Sequence, residues 1–177
     1  MREAVRQARA GLDPAWIREA SLQIQRAALE LPEIEAARRI GLYLAQPREV
    51  GTELIIETAR ARGQLLALPA WNPERNSYGM ADWLVGTDLH PGLYGIQEPA
   101  APVWVSEVDV MIIPCVAFDP QGGRLGHGGG HFDRLLENFR GLKVCLAFEV
   151  QKMAAIPRET HDVRVDVVIT ERAVYAG

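Results

Sequence analysis

The sequence predicts an α/β fold: one three-layer domain with a mostly parallel sheet and helices on both faces, Rossmann-like in outline but without a dinucleotide fingerprint. Three observations carry this. Between Ile40 and Leu68 the order is strand, loop, helix, strand, the mark of parallel strands joined by crossover helices. Val110-Met111-Ile112-Ile113 is an apolar run without alternation, as in a strand covered on both faces. The 177 residues, 48% of them apolar, can enclose one substantial core but are short for two. Residues 1–177 are therefore expected to form a single domain.

Each element can be justified in turn. Met1 to Ala10 reads as a helix that sets Arg2, Arg6 and Arg9 at spacings of four and three on one face. Asp13 to Leu31 reads as a second: Asp13 caps, Pro14 suits the first turn, and Ile17, Ile24, Ala28 and Leu31 repeat along one side. Ile40 to Ala45 is a buried strand ended by Gln46-Pro47. Thr52 caps a helix to about Arg62, stopped by Gly63, and Leu65 to Leu68 is a strand ending before Pro69. Trp71 to Pro102, with Pro, Gly and Asn scattered through it, predicts turns and short antiparallel pieces. Tyr78, Met80 and Trp83 there are read as core rather than as a wall for a flat ligand. Val108 to Phe118 is the strongest strand, and Asp119 to Gly123 a turn. Leu135, Leu136 and Phe139 suggest a helix, and Lys143 to Phe148 and Val165 to Ile169 two further strands.

The totals exclude some classes of function. A formal net charge of -4 offers no broad positive field, so no nucleic-acid or membrane-surface partner is expected, and an anionic ligand must be met by a local basic site. The two cysteines, Cys115 and Cys145, lie in apolar runs without metal-ligand spacing and are read as reduced core residues. No apolar stretch approaches the ~18 residues of a membrane span, and the N-terminus is too polar for a signal peptide. A cytoplasmic monomer acting on small molecules is expected.

Chemistry concentrates in one glycine-rich segment, Arg124-Leu125-Gly126-His127-Gly128-Gly129-Gly130-His131-Phe132-Asp133. If a helix opens near His131, its free amides and those of the loop form an anion site, and Arg124 adds a planar donor fork. The dinucleotide pattern G-x-G-x-x-G fails, since the sixth place from Gly126 is His131, and no Gly-Lys-Ser/Thr follows as in a P-loop. Spacing alone leaves a flexible surface loop and a phosphate cradle both open. His127 and His131, four apart, are not read as a zinc pair, because the glycines between them argue against a helix.

Set in order along the chain, these pieces resemble a known family. Arg2-x-x-Val5-Arg6, Pro47-Arg48-Glu49-Val50-Gly51-Thr52, Tyr94-Gly95-Ile96-Gln97-Glu98-Pro99 and Pro114-Cys115-Val116-Ala117-Phe118-Asp119 precede the glycine segment. Leu146-Ala147-Phe148-Glu149-Val150-Gln151, Pro157-Arg158-Glu159-Thr160-His161-Asp162 and Val165-Asp166 follow it. Together they are similar to the motifs of the 5-formyltetrahydrofolate cyclo-ligase family. The resemblance implies ATP-dependent closure of the formyl group of 5-formyltetrahydrofolate to the 5,10-methenyl bridge, with release of ADP and phosphate. It implies that ATP is bound by Arg2, Arg6, Arg124, Leu125, Gly126, His127, Gly128, Gly129, Gly130, His131 and Phe132. The folate would be bound by Leu44, Glu49 and the segment His127, Gly128, Gly129, Gly130 and His131, with Arg124 and His131 catalytic. Asp133 and Asp162 would hold Mg²⁺, which takes a few carboxylates with phosphate and water.

Two departures stand out. The family's paired tyrosines are His131 and Phe132 here, and the frequent Arg and Lys after the first two loop glycines are His127 and Gly129. They leave open an ATP-using relative acting on another formylated substrate, and a non-catalytic folate or nucleotide binder. Each nominated residue also has a plainer reading. Glu49 and Thr52 could only start a helix, Arg2 and Arg6 could be a solvated face, and Asp133 and Asp162 a first-turn acid and a turn former.

Overall fold

The structure is a computed structural model that describes residues 2–126, 128, 131–157 and 162–177, the side chains of Tyr94 and His131 excepted. Its five helices, among the described residues, are α1 (Arg2–Ala10), α2 (Pro14–Leu29), α3 (Pro32–Ala36), α4 (Glu53–Ala61) and α5 (His131–Leu136). The strands follow as β1 (Arg39–Gly41), β2 (Leu65–Asn72), β3 (Ser77–Asp82), β4 (Leu89–Pro91), β5 (Gln97–Pro99), β6 (Trp104–Val105), β7 (Val110–Pro114), β8 (Ala117–Phe118), β9 (Arg124–Leu125), β10 (Leu142–Leu146), β11 (Val167–Ile169) and β12 (Val174–Ala176). Short 3₁₀ turns occupy Leu93–Gly95 and Glu149–Gln151.

Eight strands make the main sheet, in the order β12-β11-β10-β7-β1-β2-β3-β6. The five from β11 to β2 run parallel, and β12, β3 and β6 are antiparallel additions at the two edges. Period-two alternation explains why the central strands are apolar throughout. Val110 and Ile112 of β7, with Val144 and Leu146 of β10, enter a core layer completed by Ala20, Ile24 and Ala28 of α2, Ile34 of α3 and Ile55 and Ala59 of α4. Met111 and Ile113, with Cys145 and Ala147, enter the opposite layer, closed by Phe132, Leu135 and Leu136 of α5. Each such aliphatic side chain contributes about 1.5–3 kcal/mol by burial, so this stripe is the main stabiliser of the sheet. Both cysteines are free and buried, as expected.

Several expectations needed correction. The first strand closes at Gly41, four residues early, although Leu42 still donates to the carbonyl of Ala67. Strand β2 runs through Pro69 to Asn72. The carbonyl of Ala67 faces β1, so the backbone two residues on faces the same side, where β1 has already ended; no ladder bond is lost to proline. The second helix stops at Leu29, and Leu31 instead caps α3. Thr52 does precede α4, but its hydroxyl donates to the carbonyl of Tyr43 at 2.9 Å. The free first-turn amides of Leu54 and Ile55 are accepted by Gln25 Oε1 of α2, at 2.8 and 3.3 Å. Gly63, at φ +73°, ends α4 with Gln64 N donating to Ala59 O and Gly63 N to Arg60 O, a Schellman closure. The expected Val108 to Phe118 strand divides into β7 and β8 at Cys115, and β12 was not foreseen.

The crossovers place the ligand crevice. From β1 the chain passes through α4 on one face to β2, and from β7 through α5 on the other face to β10. Adjacent parallel strands leaving in opposite directions mark a topological switch point, beside which the carboxyl ends leave a crevice for ligands. No helix among the described residues is long and apolar enough to cross a membrane.

Candidate active site

On the β7 side of the crevice the chain turns into a hairpin. Ala117 pairs with Leu125 and Phe118 with Arg124. Buried Asp119 holds its turn: Oδ1 accepts from Gln121 N and Gly123 N, at 3.0 and 2.9 Å, and Oδ2 accepts from Ile156 N at 2.8 Å. The glycine segment leaves from β9, so this rigid turn sets where it starts.

Arg124 is enclosed, its side chain only 2% exposed, and Nη2 donates to Asp133 Oδ1 at 2.6 Å. Asp133 also accepts from Val163 N at 3.2 Å through the same oxygen. The helix α5 is thereby tied to the start of the glycine segment. Asp162 is the chain neighbour of Val163, the backbone donor to Asp133. The second carboxylate oxygen of Asp133 receives no donor among the described residues, which fits an oxygen available to a cation. Arg124 Nε is buried and likewise has no acceptor among them.

The N-terminal helix reaches the same place from far along the chain. Val5 of α1 packs with Val116, Ala117 and Ile156, with Leu125 and Met153 against them. Arg2 Nε then donates to the carbonyl of Gly126 at 3.1 Å, across 124 residues of sequence. Gly128 has φ +112°, a conformation that an L side chain rarely adopts. A β-carbon there would stand 4.0 Å from the Arg2 guanidinium carbon.

On the β1 side, Gln46-Pro47-Arg48-Glu49 forms a turn closed by Glu49 N donating to Gln46 O at 3.0 Å. Pro47 presets the second position, and Arg48 takes φ +70° at the third. That left-handed backbone costs a non-glycine residue about 1–2 kcal/mol. Arg48 offsets it by donating through Nη1 to the carbonyl of Ala10, with those of Arg9 and Leu12 at 3.4 and 3.5 Å. The end of α1 is thereby fastened to the turn. Glu49, 8% exposed, accepts from Gln46 N at 2.9 Å. Behind it Tyr43 donates to Val50 O at 2.7 Å, its phenol pushed well above the ordinary range by burial and then by the nearby Glu49 charge.

The expected site residues thus fall into four sets. Arg2, Gly126, Gly128, Arg124 and Asp133 are brought together, with Asp162 adjacent in the chain to a contact of Asp133. Glu49 stands on the other side of the switch, Leu44 is half-buried against the first core layer, and Arg6 is exposed on α1. Leu125 and Phe132 direct their side chains into core clusters. His127, Gly129 and Gly130 lie outside the described residues, and so does the side chain of His131, which opens α5. One residue was passed over at the sequence level: Glu98, 4% exposed, accepts from Trp71 N at 2.9 Å while its Oε1 has no donor among the described residues. Its place in the Tyr94–Pro99 motif was the available signal.

Fold and site together place the chain among α/β proteins with a topological switch point between oppositely directed crossovers, beside which Arg2, Gly126, Arg124 and Asp133 come together. Residues 1–171 match the model of the 5-formyltetrahydrofolate cyclo-ligase family, and the chain belongs to that family. It is 32% identical over 171 residues to the 5-formyltetrahydrofolate cyclo-ligase of Haemophilus influenzae, covering 92% of this chain and 91% of that one. It is 30% identical over 179 residues to the Escherichia coli K12 enzyme of that name, covering 97% and 98%. Among solved structures, 5,10-methenyltetrahydrofolate synthetase of Aquifex aeolicus superposes with a TM-score of 0.86 at 32% identity, covering 99% of this chain and 90% of that one.

Proposed function

We propose that this protein converts 5-formyltetrahydrofolate to 5,10-methenyltetrahydrofolate, consuming ATP and releasing ADP and phosphate. The observation that carries the reading is the junction of Arg2 with Gly126, beside the Arg124–Asp133 pair and across the crevice from Glu49. One side is equipped for phosphates and the other for a group that offers N–H donors.

A formamide oxygen is a poor leaving group. In the proposed reaction it takes the terminal phosphoryl group of ATP, and ADP departs. N10 of the folate then attacks the activated carbon, the N10 proton is lost, and the C–O bond breaks as phosphate leaves with the oxygen. The bridging N5–C–N10 cation remains. Positioning and charge neutralisation are what the protein supplies to such a transfer. Arg2, Arg6 and Arg124, with the backbone from Leu125 to Phe132, are assigned to the phosphates, and Leu44, Glu49 and the glycine segment to the folate. Arg124 and His131 are assigned to the reacting groups. Asp133 and Asp162 are the residues that would hold Mg²⁺, and the unpartnered oxygen of Asp133 supports that assignment. When bound, the ion would neutralise phosphate charge.

The test is a spectrophotometric assay of the purified protein with ATP, Mg²⁺ and 5-formyltetrahydrofolate. Growth of the methenyl absorbance, stoichiometric with ADP, is expected. Folate binding without turnover would point to a non-catalytic binder, and ATP binding without folate binding to another formylated substrate.

A further inference from the structure

Arg48 stands in the turn after β1, beside Glu49, and has no part in the assignments above. Its backbone takes φ +70° at the third position of that turn, where glycine or asparagine sits without strain. An arginine there is unfavourable for the local backbone, so its place is explained by what the side chain reaches. Nη1 donates to the carbonyl of Ala10, with the carbonyls of Arg9 and Leu12 at 3.4 and 3.5 Å. These lie at the carboxyl end of α1, where the last carbonyls lack helical partners and the helix dipole favours a cation. Arg48 itself is exposed, so this long reach along the chain does not serve the core.

The amino end of α1 is fastened elsewhere. Arg2 Nε donates to the carbonyl of Gly126 at 3.1 Å, where the glycine segment leaves the β8–β9 hairpin. Between the two ends, Val5 packs with Val116, Ala117 and Ile156. The nine residues of α1 span about 12 Å between their end α-carbons. One short rigid element thus joins the turn that carries Glu49 to the segment that follows Arg124. A ligand that fixes the turn fixes the carboxyl end of α1, and with it the arginine at Gly126. Whichever ligand binds first bears the entropy of ordering α1, and the second binds an arm already in place.

We propose that Arg48 is a positioning residue that makes the binding of nucleotide and folate mutually reinforcing: by holding the carboxyl end of α1 to the turn that carries Glu49, it lets either ligand order the arm for the other. The inference rests on the reading above, which gives the phosphates to Arg2 and the folate to Glu49. Arg48 touches neither ligand and acts through α1.

The test compares wild type with Arg48→Asn, which suits the left-handed backbone but cannot reach α1, and with Arg48→Lys. Calorimetry with Mg²⁺ present measures the affinity for the non-hydrolysable analogue in which NH replaces the β,γ-bridging oxygen of ATP, with and without saturating 5-formyltetrahydrofolate. The folate affinity is measured with and without the analogue, and melting temperature is recorded for each protein. Wild type is expected to bind each ligand at least about fivefold tighter in the presence of the other, by the same factor both ways, as linkage requires. Arg48→Asn should bring that factor close to one, with the affinity for folate alone and the melting temperature unchanged. Arg48→Lys, which keeps a cation within reach of the carbonyls, should retain part of the factor. Undiminished coupling in Arg48→Asn would overturn the proposal, and so would a wild type that binds both ligands independently. A melting temperature lowered by several degrees, with both affinities lost, would make Arg48 a structural residue and overturn it as well. A wild type that binds the analogue but no 5-formyltetrahydrofolate would instead sink the folate reading, and the inference with it.

Discussion

At the scale of single residues, the site is built from side chains that brace one another. Arg124 is 2% exposed and paired with Asp133, so removing either leaves a buried charge alone, at a cost of about 3–5 kcal/mol. A neutral substitution therefore confounds catalysis with folding. Arg124→Lys separates them: the ammonium can still neutralise Asp133, but it cannot present the planar fork that meets carboxylate and phosphate at once. We expect Arg124→Lys to lower kcat/KM for ATP by about a hundredfold, the range for losing one preorganised donor, with a small change in melting temperature. Arg124→Met should lose both. An Arg124→Lys enzyme within threefold of wild type would remove Arg124 from the phosphate site. That Arg2 and the Arg124 to Asp133 segment belong together was implied by the family resemblance, since spacing alone left the segment open between a flexible surface loop and a phosphate cradle. What was hidden is that the cation and the acid nominated for separate ligands are each other's partners. Pairing across a loop leaves no spacing signature, and neither does the burial of Arg9, which in sequence matches its exposed neighbours Arg2 and Arg6.

Secondary-structure elements show the same division. The central strand β7 and helix α2 were readable because their signals are local: uninterrupted apolar residues, and an Asp13-Pro14 start whose carboxylate does accept from Ala15 N and Trp16 N. The role of Thr52 was misassigned because the cap of α4 comes from Gln25, on another helix, and β12 was missed because a three-residue edge strand carries almost no pattern. A polar latch adds to the pairing of β12 with β11. Glu149, after β10, accepts from Thr170 at 2.9 Å, from Tyr175 of β12 at 2.8 Å, and from Lys152. Burial pushes the Glu149 carboxyl up, but the hydrogen bonds from Lys152, Tyr175 and Thr170 outweigh it, and the carboxyl lies below its ordinary value of 4.5. A depressed folded value means that the latch stabilises above the ordinary carboxylate pKa and fails as pH falls through the folded one. Lys152 has the opposite sign: its hydrogen bond to Glu149, then that to Tyr175, raises it above 10.5, so its share is lost only as alkaline pH passes the raised value. Glu149→Gln should thus melt below wild type at neutral pH, and the gap should close on acidification through the carboxylate range. Melting curves of both proteins across that range test this. A gap that stayed constant with pH would show that Glu149 acts by shape and not by charge.

For the whole molecule, the switch point between β1 and β7 matters because the turn after β1 and the hairpin after β7 both meet helix α1, which comes from a distant part of the chain. Helix α1 is fastened to the body by Val5, by Arg2 on Gly126 and by Arg48 on its last carbonyls, and none of these contacts can exist once the sheet is lost. On the proposed function, a nucleotide held by α1 and the glycine segment together would bind the native state and have no site on the unfolded chain. Under that condition a ligand at a hundred times its Kd stabilises by about 2.7 kcal/mol, which for a chain of this size raises Tm by about 5–10 °C. We expect ATP with Mg²⁺ to give such a shift. Chelation of the metal should reduce it, because Asp133 and Asp162 would then face the phosphates without a cation between. The shift given by 5-formyltetrahydrofolate, assigned to the Glu49 side, should survive chelation. Thermal melts in the four combinations of ligand and chelator distinguish two separate half-sites from one undivided pocket. If chelation abolished the folate shift together with the ATP shift, the metal would belong to the folate side as well, and the assignment of Asp133 and Asp162 to the phosphates alone would fail.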